Sequence, residues 1–288
     1  MDKKAIFFKT RLVLSLFLIF LSYSHCVSST AHAQSIVKPA TAASKIRYIP
    51  PPLPTKQVVP SGRKKGNASR GGTCVASNDR NEVLTAVIPS YQMKLEGNRS
   101  KRVELNTWDL VLATTSIANP TFLFYLPYIT AKLPLEFVLQ DAEEKDLLIS
   151  SFTVSNKQPG FVSVTVPSTI PLEIGKYYKW YLIADCGQTS PGVEGWVQRV
   201  AIAPKLKQQL QQATPQQRVA LYAANGIWYD AVSLAAALRL ENPKDLSKLA
   251  DWTSLLQSVE LRAIARQPIN NCCAVEQQHA VDQSWDNN

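Results

Sequence analysis

Histidine is almost absent from this chain of 288 residues, which contains three. His25, His32 and His279 lie near the two ends, so residues 33–278 contain none. Ser-His-Asp and Cys-His catalytic arrangements, metal sites built on histidine and imidazole acid–base chemistry are therefore not expected. Carboxylate, lysine and tyrosine side chains remain available for chemistry, and we predict no cofactor and no bound metal.

A long hydrophobic run is also missing. The apolar run at residues 12–21 has about half of the roughly 20 residues that a membrane-spanning helix needs. Basic side chains within residues 3–11 precede this run and a small-residue site ending at Ala33 follows it, which is the pattern of a secretory signal peptide. We predict cleavage after Ala33, export, and a periplasmic or extracellular location. A lipoprotein signal at Cys26 is disfavoured, because His25 stands where a small residue is needed.

Acidic residues are missing from residues 34–72, which carry eight basic side chains, six prolines and four glycines. We predict a disordered, proline-rich basic linker there. The net charge of +9 does not describe the rest of the chain, because residues 73–288 carry 19 basic and 21 acidic side chains. Nucleic acid is therefore not an expected partner. A peripheral electrostatic contact of residues 38–70 with an anionic envelope surface is the alternative to a solvated linker.

Cysteine is scarce, and four of the five cysteines follow the predicted cleavage site. Cys74 begins the predicted folded region and Cys186 ends a predicted strand, so we favour a disulfide between them in an oxidising compartment. Cys272 and Cys273 are adjacent, and free thiols or intermolecular bonds are favoured over a strained bond between them. Zinc is a weaker alternative, since no two cysteines have the short spacing of a zinc knuckle.

Residues 73–203 alternate short apolar runs with turn residues, which predicts a β-sandwich of about seven strands. The predicted strands are 83–88, 121–128, 134–140, 147–154, 161–166, 177–185 and 193–202. Residues 172–180 (LEIGKYYKW) resemble the tyrosine corner of immunoglobulin-like and fibronectin-III-like sandwiches, in which a Tyr hydroxyl binds the upstream turn. Tyr178 takes that role here, and we expect Trp180 to point into the core.

From residue 204 the composition favours helices, and we predict a small α-helical subdomain over residues 204–268. Thr214-Pro215-Gln216-Gln217 forms a capping box with proline at the first helical position. The apolar periodicity predicts further helices over 227–240 and 246–266. We predict a disordered tail over 269–288.

Two short motifs place a carboxylate beside aromatic side chains, Glu194-Gly195-Trp196 and Trp228-Tyr229-Asp230. Two carboxylates about 5–10 Å apart can hydrolyse a glycosidic bond, so Glu194 and Asp230 are the weak catalytic candidates. Core packing is the favoured interpretation of Trp196 and Trp228.

The acidic run at residues 141–146 has the oxygen ligands that Ca²⁺ prefers. It lacks the glycine and the ordered spacing of a calcium-binding loop. Because it lies between two predicted strands, a solvated hairpin turn is the favoured interpretation.

Four segments carry a family resemblance: PTFLFYLP (120–127), LEIGKYYKW (172–180), EGWVQRV (194–200) and YAANGIWYD (222–230). Together they resemble the cyanobacterial family called domain of unknown function 928, over about residues 73–268. The resemblance implies an exported protein and supplies no catalytic residues. The adjacent cysteines at 272 and 273 depart from it.

These observations favour an exported, non-enzymatic cell-envelope protein that binds or helps to assemble an envelope protein or polysaccharide. In an assembly role, the C-terminal helices dock on the partner. The alternative is a carboxylate-dependent hydrolase or lyase that acts on envelope polysaccharide through Glu194 and Asp230.

Overall fold

Ten strands precede four α-helices in the computed structural model of the chain, which describes residues 46–53, 61–66, 83–94, 107–128, 130–156 and 158–270. These residues belong to one compact unit, Ala43–Asn288. The predicted signal peptide, Cys74, Cys272 and Cys273 lie outside the described residues. Within them, no helix is long and apolar enough to cross a membrane.

The strands form three sheets. In chain order they are β1 Thr85–Ala86, β2 Tyr91–Lys94, β3 Thr107–Leu110, β4 Leu112–Thr115, β5 Thr121–Leu126, β6 Thr130–Gln140, β7 Asp146–Asn156, β8 Gly160–Thr165, β9 Tyr177–Ala184 and β10 Gly192–Arg199. The sheets have the orders β4-β10-β9-β6-β7, β1-β5-β8 and β2-β3. All pairs are antiparallel except β4 with β10. The seven predicted strands are present with shifted ends, and β2, β3 and β4 are additional to them.

The five-stranded and three-stranded sheets share a hydrophobic core. Along β9, buried and half-buried residues alternate, as expected for a strand with one face in the core. Trp180 on the buried face packs against the rings of Phe122 and Phe124 on β5, with centroids 5.7 and 5.5 Å apart. The predicted core position of Trp180 is therefore present.

The helices are α1 Pro204–Gln212, α2 Pro215–Ala224, α3 Trp228–Glu241 and α4 Leu246–Gln257. The predicted capping box is confirmed at the start of α2, where the Thr214 side chain and Gln217 satisfy each other's backbone N–H groups. The helices do not form a separate subdomain, however. Residues of α2, α3 and α4 belong to the same hydrophobic core as the two sheets, since the apolar faces of the helices have no other layer to cover them.

Two pieces of the predicted linker are ordered against this core. Ile46 and Tyr48 are buried, and the Ile49 N–H donates to the Ala223 carbonyl over 3.0 Å. Residues 61–66 form isolated bridges with three strands, Ser61 with Leu110, Arg63 with Glu194 and Lys65 with Thr85. The prediction of disorder was wrong for these two pieces. Backbone pairing needs few apolar side chains, so a composition averaged over residues 34–72 does not reveal it.

The first residues of the predicted tail are also paired. The Asn270 N–H donates to the Phe161 carbonyl over 2.9 Å, and Ile269 bridges Phe161 in parallel. These residues cover the outer edge of β8. The rest of the tail lies outside the described residues.

Candidate functional site

The two catalytic candidates lie on opposite faces of the five-stranded sheet. Side chains alternate along β10, so Glu194 and Arg199 point to opposite faces. Arg199 is paired laterally with Thr115 on β4, and the Thr115 hydroxyl donates to Asp230 over 2.7 Å. Asp230 therefore approaches the sheet from the face opposite to Glu194. The structure does not bring these two carboxylates together as a catalytic pair.

Asp230 is a buried anchor for helix α3. Its carboxylate accepts hydrogen bonds from the Thr115 hydroxyl and from the N–H and hydroxyl of Ser116, over 2.7, 3.0 and 2.5 Å. Burial raises the pKa of Asp230, and the bonds from Ser116 and Thr115 oppose that rise. In the first turn of α3 the carboxylate also faces the positive end of the helix dipole. These contacts give Asp230 a structural role.

Glu194 holds the N-terminal segment against the sheet. Its backbone exchanges two hydrogen bonds with Arg63, of 3.0 and 2.9 Å. Its carboxylate lies 3.7 Å from the Arg63 guanidinium and 3.9 Å from the Lys179 ammonium. Partly exposed ion pairs of this length contribute little stability, so the backbone pairing is the stronger attachment.

The predicted structural tryptophans are core residues. Each indole N–H meets an oxygen: Trp180 donates to the Tyr229 hydroxyl (2.9 Å), Trp196 to the Ser61 carbonyl (3.3 Å) and Trp228 to the Val87 carbonyl (2.8 Å). All three side chains are buried. Satisfied donors and buried rings indicate packing and exclude an open aromatic binding stripe at these positions.

The predicted upstream contact of Tyr178 is present, because its hydroxyl accepts a hydrogen bond of 2.9 Å from the Glu173 N–H. Cys186 is fully buried just beyond β9. Cys74 lies outside the described residues, so the Cys74–Cys186 disulfide stays a prediction.

A cleft of about 550 Å³ opens between the β6–β7 turn and the loop that precedes β9. Such a volume falls within the range of small-molecule sites. Its lining combines apolar side chains, two tyrosines and charged groups. These residues are Asp141, Ala142, Glu143, Leu147, Thr169, Ile170, Pro171, Glu173, Lys176, Tyr177 and Tyr178.

The first wall of the cleft is the hairpin turn between β6 and β7. The Asp141 carboxylate accepts hydrogen bonds from the N–H groups of Glu143 (3.0 Å) and Lys145 (2.9 Å), and Glu144 has a φ of 64°. The hairpin interpretation of residues 141–146 is confirmed. One carboxylate oxygen of Asp141 thus stabilises the turn. The described residues contain no cluster of three or more metal-ligating side chains.

The second wall is the loop that ends at β9. The Arg199 guanidinium donates to the carbonyls of Leu172 and Ser116, over 2.5 and 3.4 Å. The Gly175 N–H donates to the Arg199 carbonyl over 2.7 Å, and Gly175 has a φ of 86°, which favours glycine. Bonds on both sides of the turn fix the loop before any ligand binds.

Charges of both signs face each other across the cleft. The Lys176 ammonium donates to the Glu173 carboxylate over 2.9 Å. This bond and the charge of Glu173 raise the pKa of Lys176, and Glu143 on the other wall acts in the same direction. The cleft thus offers carboxylate acceptors and one ammonium donor above an apolar floor. This arrangement suits binding through hydrogen bonds.

The sequence of residues 65–269 matches the family described as Domain of Unknown Function (DUF928). The chain belongs to this family. The DUF928 match begins within the bridged segment 61–66 and ends beside Asn270, so it includes both walls of the cleft. The resemblance inferred from four segments is confirmed. No curated protein matches the chain.

The cleft of this DUF928 chain was not predicted from the sequence. Glu173, Lys176 and Tyr177 lie within residues 172–180, which carry part of the family resemblance, and Glu143 lies within the acidic run 141–146. Neither signal indicates a cleft. Glu143 lies in a turn that sequence patterns assign to solvent. The cleft exists because the fold brings these two distant segments together.

Proposed function

We propose that this DUF928 chain is an exported, non-enzymatic cell-envelope protein that binds an envelope polysaccharide in the cleft. The main support for this proposal is the preorganised pair of walls. Glu143 lies on one wall, and Glu173 and Lys176 lie on the other. We further infer that the two larger sheets form an immunoglobulin-like or fibronectin-III-like sandwich. The bond between Tyr178 and the upstream turn supports that assignment.

The chemistry of the cleft favours a sugar chain over an apolar ligand. Sugar hydroxyls both donate and accept hydrogen bonds, and they match carboxylate acceptors and an ammonium donor. The C–H faces of a sugar ring match Leu147 and the half-buried Tyr177. A cleft bounded by two loops also leaves room for a polymer to continue beyond the bound unit.

A binding role fits the placement of the acids better than hydrolysis does. Asp230 is hydrogen-bonded to three donors, and Glu194 faces the other side of the sheet with two cations beside it. The hydrolase alternative needs a pair of carboxyl groups across one bound sugar. It is tested by the same experiment as the binding proposal.

Residues 46–53 and 61–66, which we call the arm, support envelope retention less strongly than their charge suggests. Arg63 lies beside Glu194, and the Lys64 ammonium donates to the Val259 carbonyl over 2.8 Å. A peripheral contact with an anionic envelope surface therefore depends on the other cations of residues 38–70. We include it in the proposal together with export, an oxidising compartment and the Cys74–Cys186 disulfide.

Binding of the purified chain to isolated envelope polysaccharide, followed by calorimetry, tests the proposal. We expect Glu143→Gln and Glu173→Gln each to weaken binding about tenfold, because each replaces a charged acceptor. Glu241→Gln, at the exposed end of α3, is the matched control and should bind like the wild type.

Equal affinity of the wild type and both cleft variants would overturn the proposed site. Mass spectrometry of the soluble fraction from the same mixtures distinguishes the alternative. Sugar fragments that accumulate with time would replace the binding role with hydrolysis or lyase activity.

A further inference from the structure

Strand β7 forms an edge of the five-stranded sheet that no described residue covers. It stands last in the order β4-β10-β9-β6-β7 and pairs with β6 alone. Its 11 residues span about 37 Å. Among the described residues, none pairs with the outer side of β7. A row of backbone N–H and C=O groups therefore faces outward along the strand.

The other sheet edges that the structure describes are short or covered. β4 has four residues, and segment 61–66 pairs with the part of β10 that β4 leaves open, through Arg63. The outer edge of β8 is bonded by residues 268–270 at Phe161. β7 differs from these edges in both length and lack of cover.

The central part of β7 also lacks the features that protect edge strands. Residues 147–155 (LLISSFTVS) contain no charged residue, proline or glycine. Edge strands usually carry lysine, proline or a bulge that prevents pairing with another chain. The register of β7 with β6 shifts only near the two ends of the strand, between Leu139 and Gln140 and between Thr130 and Leu133. The charged Asp146 lies at the end of the strand, so the central part is open to strand addition.

We propose that a second copy of this chain adds to β7 as an antiparallel strand, about a two-fold axis at Ser151. Ser151 is the midpoint of Asp146–Asn156. In this register Leu148 faces Val154 of the second copy on the buried side of the sheet, and Ile149 faces Thr153 on the exposed side. The result is a continuous sheet of ten strands, with five from each copy.

The strand is its own complement in this register. Because residues 147–155 are uncharged, no like charges oppose each other across the axis, whereas like charges directly opposite destabilise a strand pair. A two-fold axis also closes the assembly after two copies, since the β7 edge of each copy is then fully used.

Sedimentation velocity of the purified chain at about 1–100 µM tests the pairing. We expect a dimer for the wild type. Ser151→Lys places two ammonium groups opposite each other at the axis and should weaken dimerisation about tenfold or more. Ser168→Lys, at an exposed serine in the loop after β8, is the matched control and should remain dimeric.

Oxidative cross-linking tests the register. Directly opposite Cβ atoms lie about 4.5–5.5 Å apart, which is close to the span of a disulfide. Ser151→Cys should therefore form a covalent dimer, while Ser168→Cys should show the same background as the wild type.

A wild type that is monomeric throughout this concentration range overturns the proposal, even if another protein binds β7. A dimer that Ser151→Lys leaves intact also overturns it, because the copies then meet elsewhere. Circular dichroism of each variant checks that a variant that no longer dimerises is still folded.

Discussion

Ser150 and Ser254 are both buried, but their hydroxyl groups differ in their partners. The Ser254 hydroxyl donates to the Ile46 carbonyl over 2.8 Å. The Ser150 hydroxyl has no hydrogen-bond partner in the described part of the chain. Because an unsatisfied buried hydroxyl is destabilising, we expect Ser150→Ala to raise the free energy of unfolding by about 1 kcal/mol. Ser254→Ala should lower it by about 1–2 kcal/mol, since it leaves the carbonyl unpaired. Urea denaturation measures both, and equal shifts of the same sign would contradict this prediction.

Lys64 is a buried lysine whose titration links stability to pH. Burial lowers the pKa of Lys64 to about 8. Between that pKa and the ordinary lysine value, the folded chain has released a proton that the unfolded chain still binds. Stability therefore rises with pH in this range. We expect the free energy of unfolding to rise by about 1–2 kcal/mol from about pH 7.5 to 9.5 through this group.

Lys64→Met should remove this rise, and Lys65→Met, at the exposed neighbouring position, should retain it. Measurements stay below pH 10, because burial raises the pKa values of Tyr48 and Tyr229 and their retained protons oppose the trend at higher pH. A rise of equal size in both variants would show that another group is responsible.

At the scale of elements, local signals predicted more than long-range ones. The start of α2 was predictable because the capping residues and the proline lie within four consecutive positions. β4 was not predictable, since its four residues end in two threonines and its stability depends on parallel pairing with a distant strand. The same limit applies to the cleft. Strands β7 and β8 lie between its two walls in the chain, and only the fold brings the walls together.

The contact between the arm and the turn after α2 gives a prediction at this scale. Gly226 has a φ of 76°, and a Cβ atom there would lie 2.9 Å from Pro51 Cδ. Gly175 has a φ of 86°, but a Cβ atom there would meet nothing within 4 Å. Gly175→Ala should therefore lose about 1 kcal/mol of stability from backbone strain alone. Gly226→Ala should lose more, by about 1–2 kcal/mol, because it also displaces the arm.

Thermal denaturation compares the stability of the two glycine variants, and limited proteolysis measures how accessible the arm is to a protease. We expect faster cleavage within residues 46–53 in Gly226→Ala and an unchanged rate in Gly175→Ala. Similar stability and similar cleavage in the two variants would mean that the arm does not pack on this turn in solution.

At the scale of the whole molecule, sheets and helices depend on one another through shared contacts. Trp180 on β9 donates to the Tyr229 hydroxyl on α3, and the ring of Phe161 on β8 packs edge-on against Trp252 on α4, with centroids 5.1 Å apart. The sequence predicted two separate parts because strand patterns precede helix patterns. Composition does not show whether the apolar face of one part covers the other.

One shared core predicts one unfolding transition. We expect helical circular dichroism and tryptophan fluorescence to follow the same thermal curve, as in a two-state unit. Deletion of residues 204–288 should prevent folding, because it uncovers buried side chains such as Phe122 and Phe161 on the sheets. Deletion of residues 271–288 alone is the control and should leave the transition midpoint unchanged within about 1–2 °C, since every described core residue precedes that segment. A core that both the sheets and the helices complete cannot lose one layer and keep the other. Two separate transitions would therefore show that the helices fold independently.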